Sequence, residues 1–333
     1  MPQQSFKALV VSQTPEKQFL REIKELVVVD LPEGDVLIRV RYSSLNYKDG
    51  LSASGNKGVT RTYPHIPGVD AAGVVEESAS PLFRVGDEVI VHGYELGANH
   101  FGGFSEYIRV PANWVVRLPH GMTLRESMVI GTAGFTAALG IDRMLHHGLD
   151  KDDGSVVISG ASGGVGSVGV VILAKLGYHV TAATRKMDEQ QFLANLGAGE
   201  VVPVESIKDT SGKPLINGRW AGALDSVGGD VLDSIIRATK FWGPVATCGN
   251  VISGELHTSI YPFILRGVAL IGINSAFTPM PLRLEVWRKL AEEWRLDNLD
   301  SLTTEVSLEE LNEKYLDLIL KGGVKGRVLV KLP

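Results

Sequence analysis

VVISGASGGVGSVGVVILAKLGYHVTAATRK, residues 156–186, decides the fold of this chain. It opens on a short apolar run, Ser155–Ser159, and then turns through glycines at 160, 163 and 166. An apolar helical stretch from Val165 to Leu176 follows, and a second strand-like run, His179–Ala183, carries the chain to residue 184. The G-x-x-G-x-x-G spacing is a variant of the dinucleotide-binding fingerprint. Glycine is needed where the chain turns off the strand, where its backbone nears a pyrophosphate, and where helix and strand pack closely. The helix that follows aims its first N–H groups at that pyrophosphate. Three glycines alone would equally suit a plain turn between core elements. The strand before and the helix and strand after favour a cofactor site built on Ser162, Gly163, Gly164, Val165, Gly166 and Ser167.

The end of the second strand selects the cofactor. NAD sites usually carry Asp or Glu there to bind the ribose 2′-hydroxyl. This chain has Thr184-Arg185-Lys186, two cations and a hydroxyl suited to a 2′-phosphate, so NADPH is expected. A solvated basic turn is the alternative.

Working outward, Glu189–Leu196 and Val231–Thr239 read as helices, and Val201–Val204, Ala221–Val227, Pro244–Cys248 and Ala269–Ile273 as strands. That alternation predicts a doubly wound parallel sheet, an α/β domain over 126–274. Upstream, Leu124–Leu139 and Thr136–Leu145 carry apolar residues at helical spacing, interrupted by Gly131 and Gly134. Residues 1–125 are expected to form a barrel-like β domain from runs such as Phe6–Val11, Asp35–Tyr42, Ala72–Glu76, Glu88–His92 and Phe104–Val110. A last strand, Arg327–Leu332, is expected to return to it, so 275–333 complete the first domain.

Composition narrows the class. Glycine is 38 of 333 residues, above the usual ~7%, without a collagen period. Hydrophobic residues at 44% and charged residues at 21% exclude a disordered chain. A net charge of −5 gives no polyanion footprint, so nucleic acid is not an expected partner. The single cysteine, Cys248, excludes an internal disulfide framework and a Cys-rich metal site. MPQQSFKALVV lacks the features of a secretory signal, and a cytoplasmic setting is expected. Gly154–Ala174 is uncharged and long enough to span a bilayer, but its glycines, serines and strand-like first half argue against a membrane partner.

Two motifs in the first domain, Ser43-Ser44-Leu45-Asn46-Tyr47-Lys48-Asp49 and Pro67-Gly68-Val69-Asp70-Ala71-Ala72-Gly73-Val74-Val75, stand with Val85–Val89, Gly102–Tyr107 and Gly131–Ala137. Together with the glycine fingerprint and the chain order, the sequence resembles the medium-chain dehydrogenase/reductase superfamily, in its zinc-free quinone-oxidoreductase branch. Within that branch, Leu45–Gly50, Gly131–Ala138, Tyr261–Gly267 and Gly326–Lys331 most resemble the acryloyl-CoA reductases. The resemblance runs from about residue 5 to the C-terminus. It implies a GroES-like β-barrel catalytic domain beside a Rossmann NADPH-binding domain. It also implies a homodimer formed by strand pairing between Rossmann domains, with Ala269–Ile273 as the candidate edge.

Zinc-dependent relatives carry Cys in the first motif and His-Glu in the second. Here Asn46-Tyr47-Lys48-Asp49 and Val69-Asp70 stand there, so no metal is expected. The chemistry then becomes reduction of a polarised C=C bond. Charge grows on a carbonyl oxygen as an enolate, which needs hydrogen-bond donors and then a proton at the α-carbon.

The resemblance places Asn46 and Tyr47 beside the nicotinamide. The Tyr47 phenol either donates to the enolate or packs on the ring, and Asn46 is expected to orient. Lys48 and Asp49 are either a positioning ion pair or a solvated turn pair. His92, His100 and Glu106 border a loop, Tyr94–Phe104, that is a candidate lid over substrate or an ordinary structural loop. Cys248 and Asn250, after a strand end, are expected at the nicotinamide half through their backbone. Arg327 matches a family position near the cofactor, or is a surface cation on an edge strand. Lys57, Arg61 and Arg266 are candidate contacts for an anionic CoA handle. The function expected is NADPH-dependent reduction of a short enoyl-CoA such as acryloyl-CoA. Quinone reduction and a non-catalytic NADPH-binding role are the alternatives.

Overall fold

The computed structural model describes residues 4–297 and 299–333. It divides into two compact units: residues up to Thr132 with Ala276–Ala291 and Asp297–Pro333, and Ala133–Ser275 with Glu292–Leu296.

The first unit begins with an antiparallel hairpin, β1 (Ser5–Gln13) and β2 (Phe19–Val27). Next come β3 (Val36–Ser44), a short helix α1 (Tyr47–Ala53), β4 (Asp70–Ser78), β5 (Glu88–His92), β6 (Tyr107–Val110) and β7 (Val115–Arg117). Helix α2 (Leu124–His146) is broken at Gly131, where the backbone turns to φ 51° and ψ −162°. The expected interruption at Gly134 does not occur; that residue continues the helix.

In the second unit, β8 (Val156–Ser159) leads through the glycine turn into α3 (Gly164–Lys175) and β9 (Val180–Thr184). Helix α4 (Gln190–Asn195), β10 (Glu200–Pro203), β11 (Gly222–Asp225), α5 (Gly229–Ala238), β12 (Pro244–Thr247), α6 (Tyr261–Arg266) and β13 (Ala269–Gly272) follow. The six strands form one parallel sheet in the order β10-β9-β8-β11-β12-β13. Every residue of β8 and β11 is buried, as expected for central parallel strands covered on both faces. Helix α5 turns Val231, Leu232, Ile235 and Ile236 onto the sheet, where they meet Val157, Ala223 and Val245. Gly154–Ala174 therefore divides into a strand, a turn and a helix. Among the described residues one helix, Leu124–His146, is long and apolar enough to cross a membrane; 83% of its apolar window is buried.

Helix α7 (Met280–Ala291) and strands β14 (Thr303–Val306) and β15 (Arg327–Lys331) belong to the first unit. Its larger sheet runs β14-β15-β3-β4-β5-β7, with β6 paired to β3. The last strand, β15, lies between β14 and β3. Leu9, Val36, Ile38, Val40, Phe104, Val328 and Val330 form part of the core of this unit.

Candidate functional site

In the first unit the chemistry-bearing residues come from strand ends. Ser44 ends β3, Asp70 begins β4, and Arg327 begins β15. All three are buried, with Arg327 only 2% exposed. Asp70 accepts hydrogen bonds from the Ser44 hydroxyl at 2.5 Å and from Asn46 Nδ2 at 2.7 Å. It also accepts from Thr132 N at 2.9 Å and from the Thr132 hydroxyl at 2.6 Å. The break at Gly131 makes room for this cluster. A Cβ there would lie 2.4 Å from Ser44 Oγ, 2.6 Å from Asp70 Oδ2 and 2.7 Å from Arg327 Nη2.

Asn46 is the extended residue ahead of α1, and Tyr47 is the first residue of that helix. The Asn46 amide is committed at both ends: Nδ2 also donates to Ser44 O at 3.2 Å, and Oδ1 faces Arg327 Nη1 at 3.4 Å. Its backbone N–H donates to Asp49 Oδ2 at 2.7 Å. Tyr47, half-buried, follows from this fixed corner.

Lys48 and Asp49 part company: Lys48 is exposed and Asp49 is fully buried, so Asp49 belongs to no solvated turn pair. Asp49 Oδ1 accepts from Val69 N at 2.9 Å and Gly68 N at 3.2 Å. Burial, then the charge of Asp70, raises its carboxyl pKa to about 7 against the pull of those N–H groups. Burial lowers the Arg327 pKa, opposed by Asp70 and Asp49. Arg327 is not a surface cation on an edge strand.

In the second unit, Gly160 leaves β8 with φ +62°, and Gly163 caps α3. A Cβ on Gly166 would come within 2.4 Å of Gly160 O and 2.6 Å of Ala161 Cα. The turn is therefore closed to side chains where the fingerprint requires bare backbone. Gly164, Val165 and Ser167 form the first turn of α3, and Ser162 Oγ lies 3.1 Å from Thr184 Oγ1 at the end of β9. Arg185 is exposed and Lys186 half-buried, with Lys186 N donating to Thr184 Oγ1 at 3.0 Å. The chain order reverses between β8 and β11, the position at which open α/β sheets take ligands.

Asp225 ties the strand ends there. It accepts from Ser159 Oγ at 2.6 Å, Thr247 Oγ1 at 2.9 Å and Gly228 N at 3.1 Å. Burial raises its pKa, opposed by these bonds. Cys248 donates to Asp225 O, and burial followed by the Asp225 charge pushes its thiol up to about 12. Such a thiol stays protonated and is no nucleophile. Asn250 is exposed just beyond it.

Most of the remaining candidates are engaged within the fold. His92 is buried, accepting from Trp287 Nε1 at 2.9 Å while Arg283 Nη1 donates to its carbonyl at 2.8 Å. Burial, then the Arg283 charge, holds its pKa well below the ordinary value. His100 bonds Arg109 O, and Glu106 accepts from Lys7 N. The candidate lid is pinned: Gly102 N, Gly103 N and Phe104 N donate to the carbonyls of Ile66, Gly68 and Pro67. Arg266 spends its guanidinium on the carbonyls of Arg237, Thr239 and Ile216. Lys57 donates to Arg61 O and lies 4.6 Å over the Tyr63 ring, and both Lys57 and Arg61 are exposed.

Sequence reasoning missed the parts played by Asp70, Asp49, Thr132 and Asp225. Each is a polar residue at the edge of an apolar run, a weak signal that identifies no partner.

Two family profiles match the chain: "Alcohol dehydrogenase GroES-like domain" over residues 32–120 and "Zinc-binding dehydrogenase" over 164–292. The donor set does not fit zinc. No group of three His, Cys, Asp or Glu among the described residues is placed to hold a metal, and Asp70 is engaged by hydroxyl, amide and N–H donors. The chain is 45% identical to YhfP of Bacillus subtilis, provisionally named a quinone oxidoreductase, over 93% of this chain and 94% of that one. It is 41% identical to the acrylyl-CoA reductase AcuI of Ruegeria pomeroyi over 98% of both. The crystal structure of yhfP with NAD bound superposes with a TM-score of 0.96, at 44% identity over 99% of this chain and 100% of that one. The yhdH oxidoreductase of Salmonella enterica in complex with NADP does so with 0.95, at 40% identity over 98% and 100%. These likenesses span both units, and they show that the chain is an oxidoreductase belonging to the medium-chain dehydrogenase/reductase superfamily.

Proposed function

We propose that this chain is an NADPH-dependent, zinc-independent reductase of activated alkenes, acting on a short enoyl-CoA thioester such as acryloyl-CoA. The observation that carries the reading is the 41% identity to an acrylyl-CoA reductase along 98% of both chains. Bound NADPH supplies the hydride for the β-carbon; the rest of the chemistry falls to this chain. Backbone N–H groups of Ser162–Ser167 cradle the pyrophosphate. Arg185 and Lys186, with Thr184, take the 2′-phosphate, and the NADP-bound Salmonella relative supports that choice. The backbone at Cys248 and Asn250 meets the nicotinamide half.

As the β-carbon is reduced, negative charge builds on the thioester oxygen. A donor already aimed at that oxygen stabilises the enolate without reorganising. Tyr47 is that donor, since its phenol is on a half-buried side chain at the start of α1. Asn46 orients the corner and leaves the substrate to Tyr47, because its amide is spent on Asp70, Ser44 and Arg327. Of the three cations considered for the CoA handle, Lys57 and Arg61 are exposed, and Arg61 is taken as the contact because Lys57 already donates to Arg61 O.

A steady-state assay with NADPH, acryloyl-CoA and simple quinones tests the substrate. Turnover of the thioester is expected. Turnover of quinones alone would transfer the reading to quinone reduction, the activity in the name of the Bacillus relative.

The protein is further read as a cytoplasmic homodimer formed by two copies of β13. That strand is at the edge of its sheet, beside exposed Ile264, Leu265 and Leu270. Sedimentation of the wild type and of Leu270→Glu should give dimer and monomer; a monomeric wild type removes the dimer.

A further inference from the structure

We infer that Tyr94 and Phe277, clamped together by Arg283, form an aromatic wall that confines the acceptor to short acyl chains. The inference deepens the alkene-reductase reading above and rests on it for the identity of the acceptor.

The place of the wall follows from strand register within the first unit. Asp70, which holds the Asn46 amide, pairs across the sheet with His92, the last residue of β5. Gly93 N then donates to Val69 O at 3.2 Å, so Tyr94 leaves the barrel at the rim from which Asn46 and Tyr47 follow β3. β3, β4 and β5 are neighbours in the sheet, so the ends of β3 and β5 stand two strand spacings apart, about 10 Å. Tyr94 itself has φ +51°, a conformation that a bulky residue keeps only where its surroundings over-determine it. Trp114 stacks on its ring at 5.3 Å between centroids and 4° between planes, and Phe277 meets it edge-on at 6.3 Å.

Arg283 explains why the two aromatic residues meet. Fully buried on α7, it donates from Nη1 to His92 O at 2.8 Å and from Nη2 to Ala276 O at 2.9 Å. Those carbonyls lie two residues before Tyr94 and one before Phe277, and the Arg283 Cζ sits 4.5 Å from the Tyr94 ring centroid. Tyr94 N also donates to Ala276 O at 2.8 Å. Gly93 permits that approach, since a Cβ there would come within 2.8 Å of Ala276 Cα. The wall is thus fixed through backbone on both sides, and the loop beyond Tyr94 is pinned at Gly102–Phe104. Phe277 stays 55% exposed, an apolar ring held at the surface beside the Tyr94 ring. Such a ring is a steric stop for hydrocarbon: it cannot give way to added methylenes without breaking the clamp or the Trp114 stack. A clash built against the longer acceptor discriminates where attraction to the shorter one cannot.

The test reads kcat/KM at saturating NADPH for acryloyl-CoA and hexenoyl-CoA, using full-length wild type, Tyr94→Ala, Phe277→Ala and Tyr94→Phe. The wild type should prefer acryloyl-CoA by about a hundredfold or more. Tyr94→Ala and Phe277→Ala should each lower that ratio by about tenfold or more, and Tyr94→Phe, which keeps the ring, should hold it within about threefold. Both thioesters are read on one preparation, so a partly unfolded variant leaves the ratio untouched. Phe277→Ala, at an exposed position, carries the test if Tyr94→Ala does not fold. Folded alanine variants with a ratio within about twofold of the wild type would overturn the inference, as would a wild type indifferent to chain length. A wild type that reduces quinones but no enoyl-CoA removes the substrate reading instead. The same variants are then compared on benzoquinone and a hexyl-substituted benzoquinone, where the same relief supports the wall and an unchanged ratio overturns it. A wild type that reduces neither class overturns both.

Discussion

The Asp70 carboxylate accepts from both the N–H and the hydroxyl of Thr132, at 2.9 and 2.6 Å, immediately after the helix break at Gly131. A strand end and a broken helix are thus joined by one buried carboxylate, whose other lone pairs go to Ser44 and Asn46. The break releases N–H groups from helical pairing, and Asp70 satisfies one of them.

Gly131→Ala should damage this arrangement most cheaply in atoms. At φ 51° and ψ −162° a Cβ is strained by about 1–3 kcal/mol from backbone alone. Its collision with Ser44 Oγ and Asp70 Oδ2 adds to that. Urea unfolding should show an unfolding free energy lowered by at least the backbone cost, together with reduced turnover in the folded protein.

Asp70→Ala leaves Arg327 buried without its facing carboxylate and strips Thr132 and Asn46 of their acceptor. Breaking a buried pair by removing one partner costs about 3–5 kcal/mol. Chemical denaturation should read a loss of that size, and a loss near zero would show that the cluster does not hold the unit together.

Asp49 makes stability depend on pH in an unusual direction for a carboxylate. Its folded pKa of about 7 lies above the ordinary 3.8, so the folded state keeps a proton that the unfolded chain releases. Its contribution is therefore full below about 3.8 and is lost as pH rises through about 7. Asp49→Asn should flatten the unfolding free energy between those limits. An unchanged slope would remove Asp49 as its source.

What was legible in the sequence follows from distance along the chain. The strand, glycine turn and helix at residues 156–176 are contiguous, so their pattern carries its own context. The Asp70 cluster joins residues 62 apart to Thr132 and its Arg327 partner is 283 residues from Ser44, so no local spacing reveals it. Burial was not legible either: a surface cation is one reading of Arg327 from sequence, yet the side chain is 2% exposed and donates to Val129 O and Ser44 Oγ. β2, FLREIKELV, went unrecognised because no residue in it is fully buried and its charges give no clear face.

Arg185→Ala tests the cofactor reading. The NADPH dissociation constant should rise about tenfold or more while that for NADH changes by less than about twofold. Equal effects on both would release Arg185 from the 2′-phosphate.

The most direct measurement follows the label. With NADPH deuterated at nicotinamide C4 on the transferred face, acryloyl-CoA should become propionyl-CoA carrying deuterium at the β-carbon, and in deuterium oxide with unlabelled NADPH the solvent label should appear at the α-carbon. Cofactor deuterium at the α-carbon, or no labelled propionyl-CoA from an enzyme that still binds NADPH, would contradict alkene reduction by this site.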